Sequence, residues 1–320
     1  MDRVTSRQAG DRSRARMSQA VFFTGGSGLL ALNWAMEIQS HYSVTLGLHE
    51  RKINLRGMKT LEANLASPAE VLRALDTVQP DIVVHAAGVT NVETCESNPR
   101  LAEEVNVRCA ANVARGCATR GVRLVHVSTD HLFAGVAAGA DESWTVEPQN
   151  VYARTKAQAE LEVLQTLPSA LVVRTNFFGW GPSYRRSFSD SIIAALRADR
   201  ELLLFQDVFF TPILIAALAG AVHDLLDRKA VGIFHVAGDD RISKHDFGLA
   251  VARYFQLDAR LIKAGSIRDQ PGLVRRPLDM SLSNRKLRAL LGRGAGGIAD
   301  HLTRLREQED LGLAGEIQQL

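Results

Sequence analysis

The 320-residue sequence predicts an α/β protein, a doubly wound parallel sheet carrying a smaller, mostly C-terminal lobe. Three observations predict it. Short apolar strand candidates alternate with helical patterns through the first two-thirds, the rhythm of a parallel sheet covered on both faces. The first strand candidate runs directly into a glycine turn and a helix. Several strand candidates end in small or hydroxylated residues, at the edge where such sheets bind ligands.

Residues 1–17, "MDRVTSRQAGDRSRARM", hold five arginines and two aspartates and so account for the whole formal charge of +3. The rest of the chain is balanced, which leaves no basic face for nucleic acid. Residues 1–18 are expected to be a disordered basic leader with few apolar groups to bury. Met17 as the natural start is the alternative. No apolar core of a secretory signal follows the arginines.

"VFFTGGSGLLA", residues 21–31, is the first strand, turn and helix. Gly25 and Gly28 allow a tight turn and close backbone approach. Ser27, Gly28 and Leu29 then place the first N–H groups of a helix, near 28–40, toward a pyrophosphate, the Rossmann arrangement for a dinucleotide. Ala31 stands where a third glycine is usual, and a tight turn without ligand is the plain alternative. The second strand, 42–48, ends in "LHERK". Arg51 and Lys52 beside the adenosine ribose favour a 2′-phosphate, hence NADPH, while Glu50 keeps NADH open.

After a helix at 68–78 comes "DIVVHAAG", a buried strand. Its small end, Ala86, Ala87 and Gly88, lets a cofactor cross the sheet. The helix predicted over 99–120 buries Asn106, whose amide needs partners. The next strand, 123–128, delivers Ser128 and Thr129 to the sheet edge, followed by Asp130 and His131. Helix 150–166 then carries Tyr152 and Lys156 four apart, on one face. A hydroxyl, a phenol and an ammonium make a coherent proton-transfer set, with the ammonium and a positively charged nicotinamide expected to lower the phenol's pKa.

A strand at 171–174 closes this region, and helices follow near 187–199, 212–228, 243–255 and 284–291. The apolar stretch "TPILIAALAGAVHDLL" begins at a proline and contains His223 and Asp224, so it reads as a core helix, not a membrane span. Cys95, Cys109 and Cys117 lack metal-ligand spacing and suit reduced thiols in a cytoplasm; no metal site is expected. The resulting division is a dinucleotide-binding domain over 19–175 and a mainly substrate-binding lobe over 176–320, some of whose segments return to the first domain.

In this order, Gly25-x-x-Gly28, "HAAG", "STDHLFAG" and "YARTK" resemble the extended short-chain dehydrogenase/reductases. "TNVETCE" (90–96), "GIFHVAGDDRIS" (232–243) and "RRPLDMSLSNRKL" (275–287) are similar to the dTDP-4-dehydrorhamnose reductase branch. The resemblance implies hydride transfer from a nicotinamide to a nucleotide-linked 4-keto-6-deoxysugar. In that reading Tyr152 gives the proton, Thr129 orients the carbonyl, and Lys156 grips the nicotinamide ribose. Asp130, His131 and Arg276 (with Arg275 second) would meet the substrate, and a homodimer is an open option. His131 replaces a frequent tyrosine. Because it follows Asp130 where related 4,6-dehydratases carry a glutamate, dehydration is disfavoured. "RTNFFGWG" (174–181) with Trp180 and "DVFFTPI" also depart from the rhamnose enzymes. The β-subunit of methionine adenosyltransferase shares the fold, which leaves a non-catalytic regulatory subunit as the alternative.

Overall fold

The computed structural model describes residues 19–320, so the leader expected over 1–18 lies outside the described residues. β1 (Ala20–Thr24) turns into α1 (Leu29–Ile38), followed by β2 (Ser43–Leu48), β3 (Lys59–Glu62), α2 (Pro68–Val78) and β4 (Ile82–His85). α3 (Val92–Ser97) and α4 (Pro99–Glu103) pass through a π-helical turn (Glu104–Arg108) into α5 (Cys109–Arg120). β5 (Arg123–Val127), α6 (Val151–Thr166) and β6 (Leu171–Arg174) complete the first half. Next come β7 (Phe177–Phe178), α7 (Phe188–Arg197), β8 (Leu202–Phe205), β9 (Phe209–Phe210), β10 (Ile213–Leu214) and α8 (Ile215–Asp227). β11 (Gly232–His235), β12 (Ile242–Ser243), α9 (Lys244–Tyr254), β13 (Ile262–Gly265), α10 (Arg285–Leu291), α11 (Ile298–Asp310) and α12 (Leu313–Gln318) end the chain.

The main sheet has the order β3-β2-β1-β4-β5-β6-β11, and all its pairings are parallel. It is a Rossmann-type doubly wound sheet. Strand alternation shows why both faces must be covered. Val21, Phe23, Val84, Val125 and Val173 enter one core, with α1 and α8, while Phe22, Val83, Leu124 and Val172 enter the other, with α2, α5 and α6. Strands apolar on both faces are buried on both faces. The stretch read as a core helix is α8, largely buried, and no helix among the described residues is long and apolar enough to cross a membrane.

Several features were not expected from sequence. β3 is a mostly exposed edge strand, "KTLE", without an apolar run to announce it. Segments past residue 175 were expected to return to the first domain, but not this strand: β11 pairs with β6 and closes the sheet. The helix expected over 99–120 is broken by the π turn. Asn106 sits in that turn, and its amide both accepts from Val89 N (2.8 Å) and donates to Val89 O (3.1 Å). A third bond joins it to Thr155 Oγ1 on α6 at 3.0 Å. These bonds fix the chain just past β4 against α6. α11 and α12 lie past the last helix expected.

Candidate active site

The strand order reverses between β1 and β4, and a cavity of about 640 Å³ opens off the carboxyl ends of these strands and of β5 and β6. Gly25 has φ +69°, and a Cβ there would stand 2.7 Å from Ala87 Cα, so this turn needs glycine for both conformation and closeness. α1 starts at Gly28 with no side-chain cap and no acidic residue in its first turn, and Leu29, Leu30 and Ala31 line the cavity. Its first N–H groups and positive dipole end are thus offered to a ligand anion. Ala86, Ala87 and Gly88 form the neighbouring wall, and Ser27 lines the cavity too.

The two cations after β2 separate. Arg51 lines the cavity with its guanidinium 3.7 Å above the Tyr184 ring. Lys52 is not part of the cavity wall; it is exposed and lies 3.5 Å from Glu62, a solvated pair of little energetic weight.

Thr129, Asp130, His131, Tyr152 and Lys156 line the same cavity. Asn150 caps α6 by accepting from Ala153 N (2.9 Å) and donates to Arg275 O (2.9 Å), which sets the helix that presents Tyr152. Burial pushes the Tyr152 phenol up to about 12, against the opposing pull of its hydrogen bond with Thr129. The sequence led us to expect a phenol lowered by Lys156 together with a bound, positively charged nicotinamide; in the protein alone, Lys156 is not among the groups that shift it. Instead the ammonium donates to Val127 O at 2.7 Å, and burial lowers Lys156 to about 8. Desolvation therefore governs both groups, keeping the phenol protonated and making the lysine easier to discharge.

Asp130 is buried and accepts from Asn176 Nδ2 at 2.6 Å and from Thr129 Oγ1 at 3.3 Å. The His131 ring stands edge-on to Tyr152, with 5.6 Å between centroids, and burial lowers its pKa. Ser128, Thr175 and His131 line the cavity, and Ser128 Oγ, Thr175 Oγ1 and His131 Nδ1 are buried without a hydrogen-bond partner among the described residues. Arg276 does not line it; its guanidinium pairs with Glu93, close enough to act on His131 and Lys244. Arg275 is exposed. Trp180 is a core residue, 1% exposed and donating to Leu305 O, so its departure from the rhamnose enzymes lies behind the cavity wall.

The sequence reading missed several residues. Asn176, Tyr184, Arg185 and Arg186 line the cavity, brought there by the segment after β6. Their position just past a strand end was the available signal. Lys244, at the start of α9, sits 3.3 Å from the Phe210 ring centroid and feels the charges of Asp130 and Arg276. Burial lowers it to about 8. Only its place after the capping Ser243 marked it in sequence.

The sequence model of the RmlD substrate binding domain family matches residues 19–307. The probable low-salt glycan biosynthesis reductase Agl14 of Haloferax volcanii is 28% identical, over 89% of this chain and 96% of its own length. The dTDP-4-dehydrorhamnose reductase of Mycobacterium tuberculosis is also 28% identical, over 85% of this chain and 87% of its own. Methionine adenosyltransferase 2 subunit beta of Mus musculus is 25% identical, over 85% and 83%. Among solved structures, dTDP-4-dehydrorhamnose reductase of Bacillus anthracis in complex with NADP superposes with a TM-score of 0.81. It is 22% identical, covering 91% of this chain and all of that one. That likeness shows the shared fold.

Proposed function

Because this chain belongs to the RmlD substrate binding domain family, we propose that it is an NAD(P)H-dependent reductase of a nucleotide-linked 4-keto-6-deoxysugar, with NADPH preferred. One observation carries the reading. The uncapped start of α1 and the set Thr129, Tyr152 and Lys156 open onto a single cavity. The reductases named above support the reaction class.

A bound reduced nicotinamide would supply hydride to the sugar carbonyl carbon. The start of α1 and the Gly25–Gly28 turn would hold the dinucleotide pyrophosphate, with Ala86, Ala87 and Gly88 making room across the sheet. Thr129 Oγ1 would hydrogen-bond the carbonyl oxygen and hold it beside Tyr152. The Tyr152 phenol, kept protonated by burial, would give its proton to the developing alkoxide. Lys156 would bind the ribose hydroxyls of the nicotinamide and neutralise the phenolate left behind. Asp130 and His131 would face the sugar, with Arg276 drawn from Glu93 toward the substrate's phosphates. The division at residue 175 into cofactor and substrate portions belongs to this reading.

The test is NADPH oxidation against dTDP-, CDP- and GDP-linked 4-keto-6-deoxysugars, beside a Tyr152→Phe variant. Loss of general acid catalysis should lower kcat by roughly 10²- to 10⁴-fold with NADPH affinity kept. A variant as active as the native protein would overturn the role of Tyr152. The match to methionine adenosyltransferase 2 subunit beta favours one second reading, a cofactor-binding subunit without catalysis. NADPH binding with no turnover across the panel would support it.

A further inference from the structure

The segment between β7 and α7, "GPSYRRS" at 181–187, lies across the glycine turn as a strap. Tyr184 Oη donates to Ser27 O at 2.6 Å, inside the turn expected to face pyrophosphate. Arg185 donates to Thr90 Oγ1, beyond β4, so the strap is tied down on both sides of the switch point. The tyrosine ring is half-buried and carries the Arg51 guanidinium at 3.7 Å.

Arg51 differs from its neighbour in having no carboxylate at ion-pair distance among the described residues, whereas Lys52 has Glu62. A guanidinium held on an aromatic face keeps its edge donors free for a planar, bidentate partner such as a phosphate. An arginine side chain loose in solvent would have to lose rotamer freedom at the moment of binding. Here the ring imposes the order beforehand, and the Ser27 hydrogen bond fixes the ring. The result is a pre-organised cation just past the end of β2, where a dinucleotide's adenosine ribose lies in this fold.

We propose that Tyr184 is a specificity-determining positioning residue. It holds Arg51 for the 2′-phosphate of NADPH, so that cofactor choice depends on a strap 133 positions away in sequence. This rests on the cofactor part of the proposed function and not on the sugar, and binding measurements separate the two.

The experiment is equilibrium binding of NADPH and NADH to the native protein without sugar substrate, at low and high salt, beside five variants. Arg51→Ala should abolish the preference for NADPH and its salt dependence, and Lys52→Ala should leave both unchanged. Tyr184→Leu, which removes the platform, should shrink the NADPH-to-NADH affinity ratio by roughly 3- to 10-fold, while Tyr184→Phe, which keeps the ring, retains most of it. With Arg51 already alanine, adding Tyr184→Leu should change the ratio no further. A Tyr184→Leu ratio equal to the native one, or an effect that persists in the double variant, would overturn the proposal. Equal native affinities for the two cofactors would overturn it as well. Because the readout is a ratio between two cofactors on one folded protein, a general loosening of the strap cancels.

Discussion

Glu160 lies one turn beyond Lys156 on α6 and meets Arg174 of β6 in a buried bidentate pair. Arg174 Nη2 is 2.7 Å from Oε2 and Nε is 3.0 Å from Oε1, with the two side chains 3% and 5% exposed. Replacing Glu160 by Gln keeps the shape and removes the charge, leaving a buried guanidinium uncompensated beside a neutral His235 at 3.4 Å. Breaking one side of such a pair costs about 3–5 kcal/mol, because the remaining ion has been taken out of water with nothing to repay it. For a chain of this size roughly 2–3 °C of Tm accompanies each kcal/mol, so the expected fall is roughly 6–15 °C. Glu160 also raises the pKa of Lys156, so the same change should make that ammonium still easier to discharge. Urea and thermal denaturation of Glu160→Gln, Arg174→Met and the pair Glu160→Leu/Arg174→Met check this. The pair should recover much of the lost stability, since no unpaired charge remains. A loss below about 1 kcal/mol in Glu160→Gln would refute the claim that this ion pair pins α6 to the sheet.

The Lys156 ammonium has a folded pKa of about 8, so it is charged below that pH and loses its proton as pH rises through it. NADPH affinity should fall up to tenfold per pH unit above about 8, and an affinity flat to pH 10 would remove Lys156 from the ribose site. At the acid side, His85 and His235 are held at about 3 and His126 well below its ordinary value, all by burial. These rings are neutral in the fold but take up protons in the unfolded chain below about 6.5. Stability should therefore drop as pH falls from 6.5 toward 3, by about 1.4 kcal/mol per pH unit for each ring. Urea midpoints at pH 7, 6 and 5 measure it, and His126→Phe should flatten the slope by one ring's share.

Local pattern made much of this protein legible. The alternation of doubly apolar strands with helices predicts the parallel sheet because a strand buried on both faces leaves that mark in its own sequence. The glycine turn was visible because a positive φ at Gly25 and its approach to Ala87 exclude other residues. Tyr152 and Lys156 were visible because a helix fixes the face of residues four apart. The edge strand β3 was not, since a mostly exposed four-residue strand has no apolar run to reveal it. The return of later segments to the first domain was expected, but not the place of β11 beside β6, which is set by a parallel pairing across 61 residues of chain.

The division runs through the site itself. By itself the sequence determined which chemical groups stand at the carboxyl edge of the sheet, since strand ends and helix spacing are local matters. Only the tertiary structure decided their electrostatic state and their company. Burial, which sums the chain on every side, carries the Tyr152 phenol up to about 12 and Lys156 down to about 8. It also seats Arg51 on Tyr184 and leaves Lys52 in solvent, although the two cations are adjacent in sequence. Desolvation and long-range packing depend on residues far apart along the chain, and no local pattern carries that information.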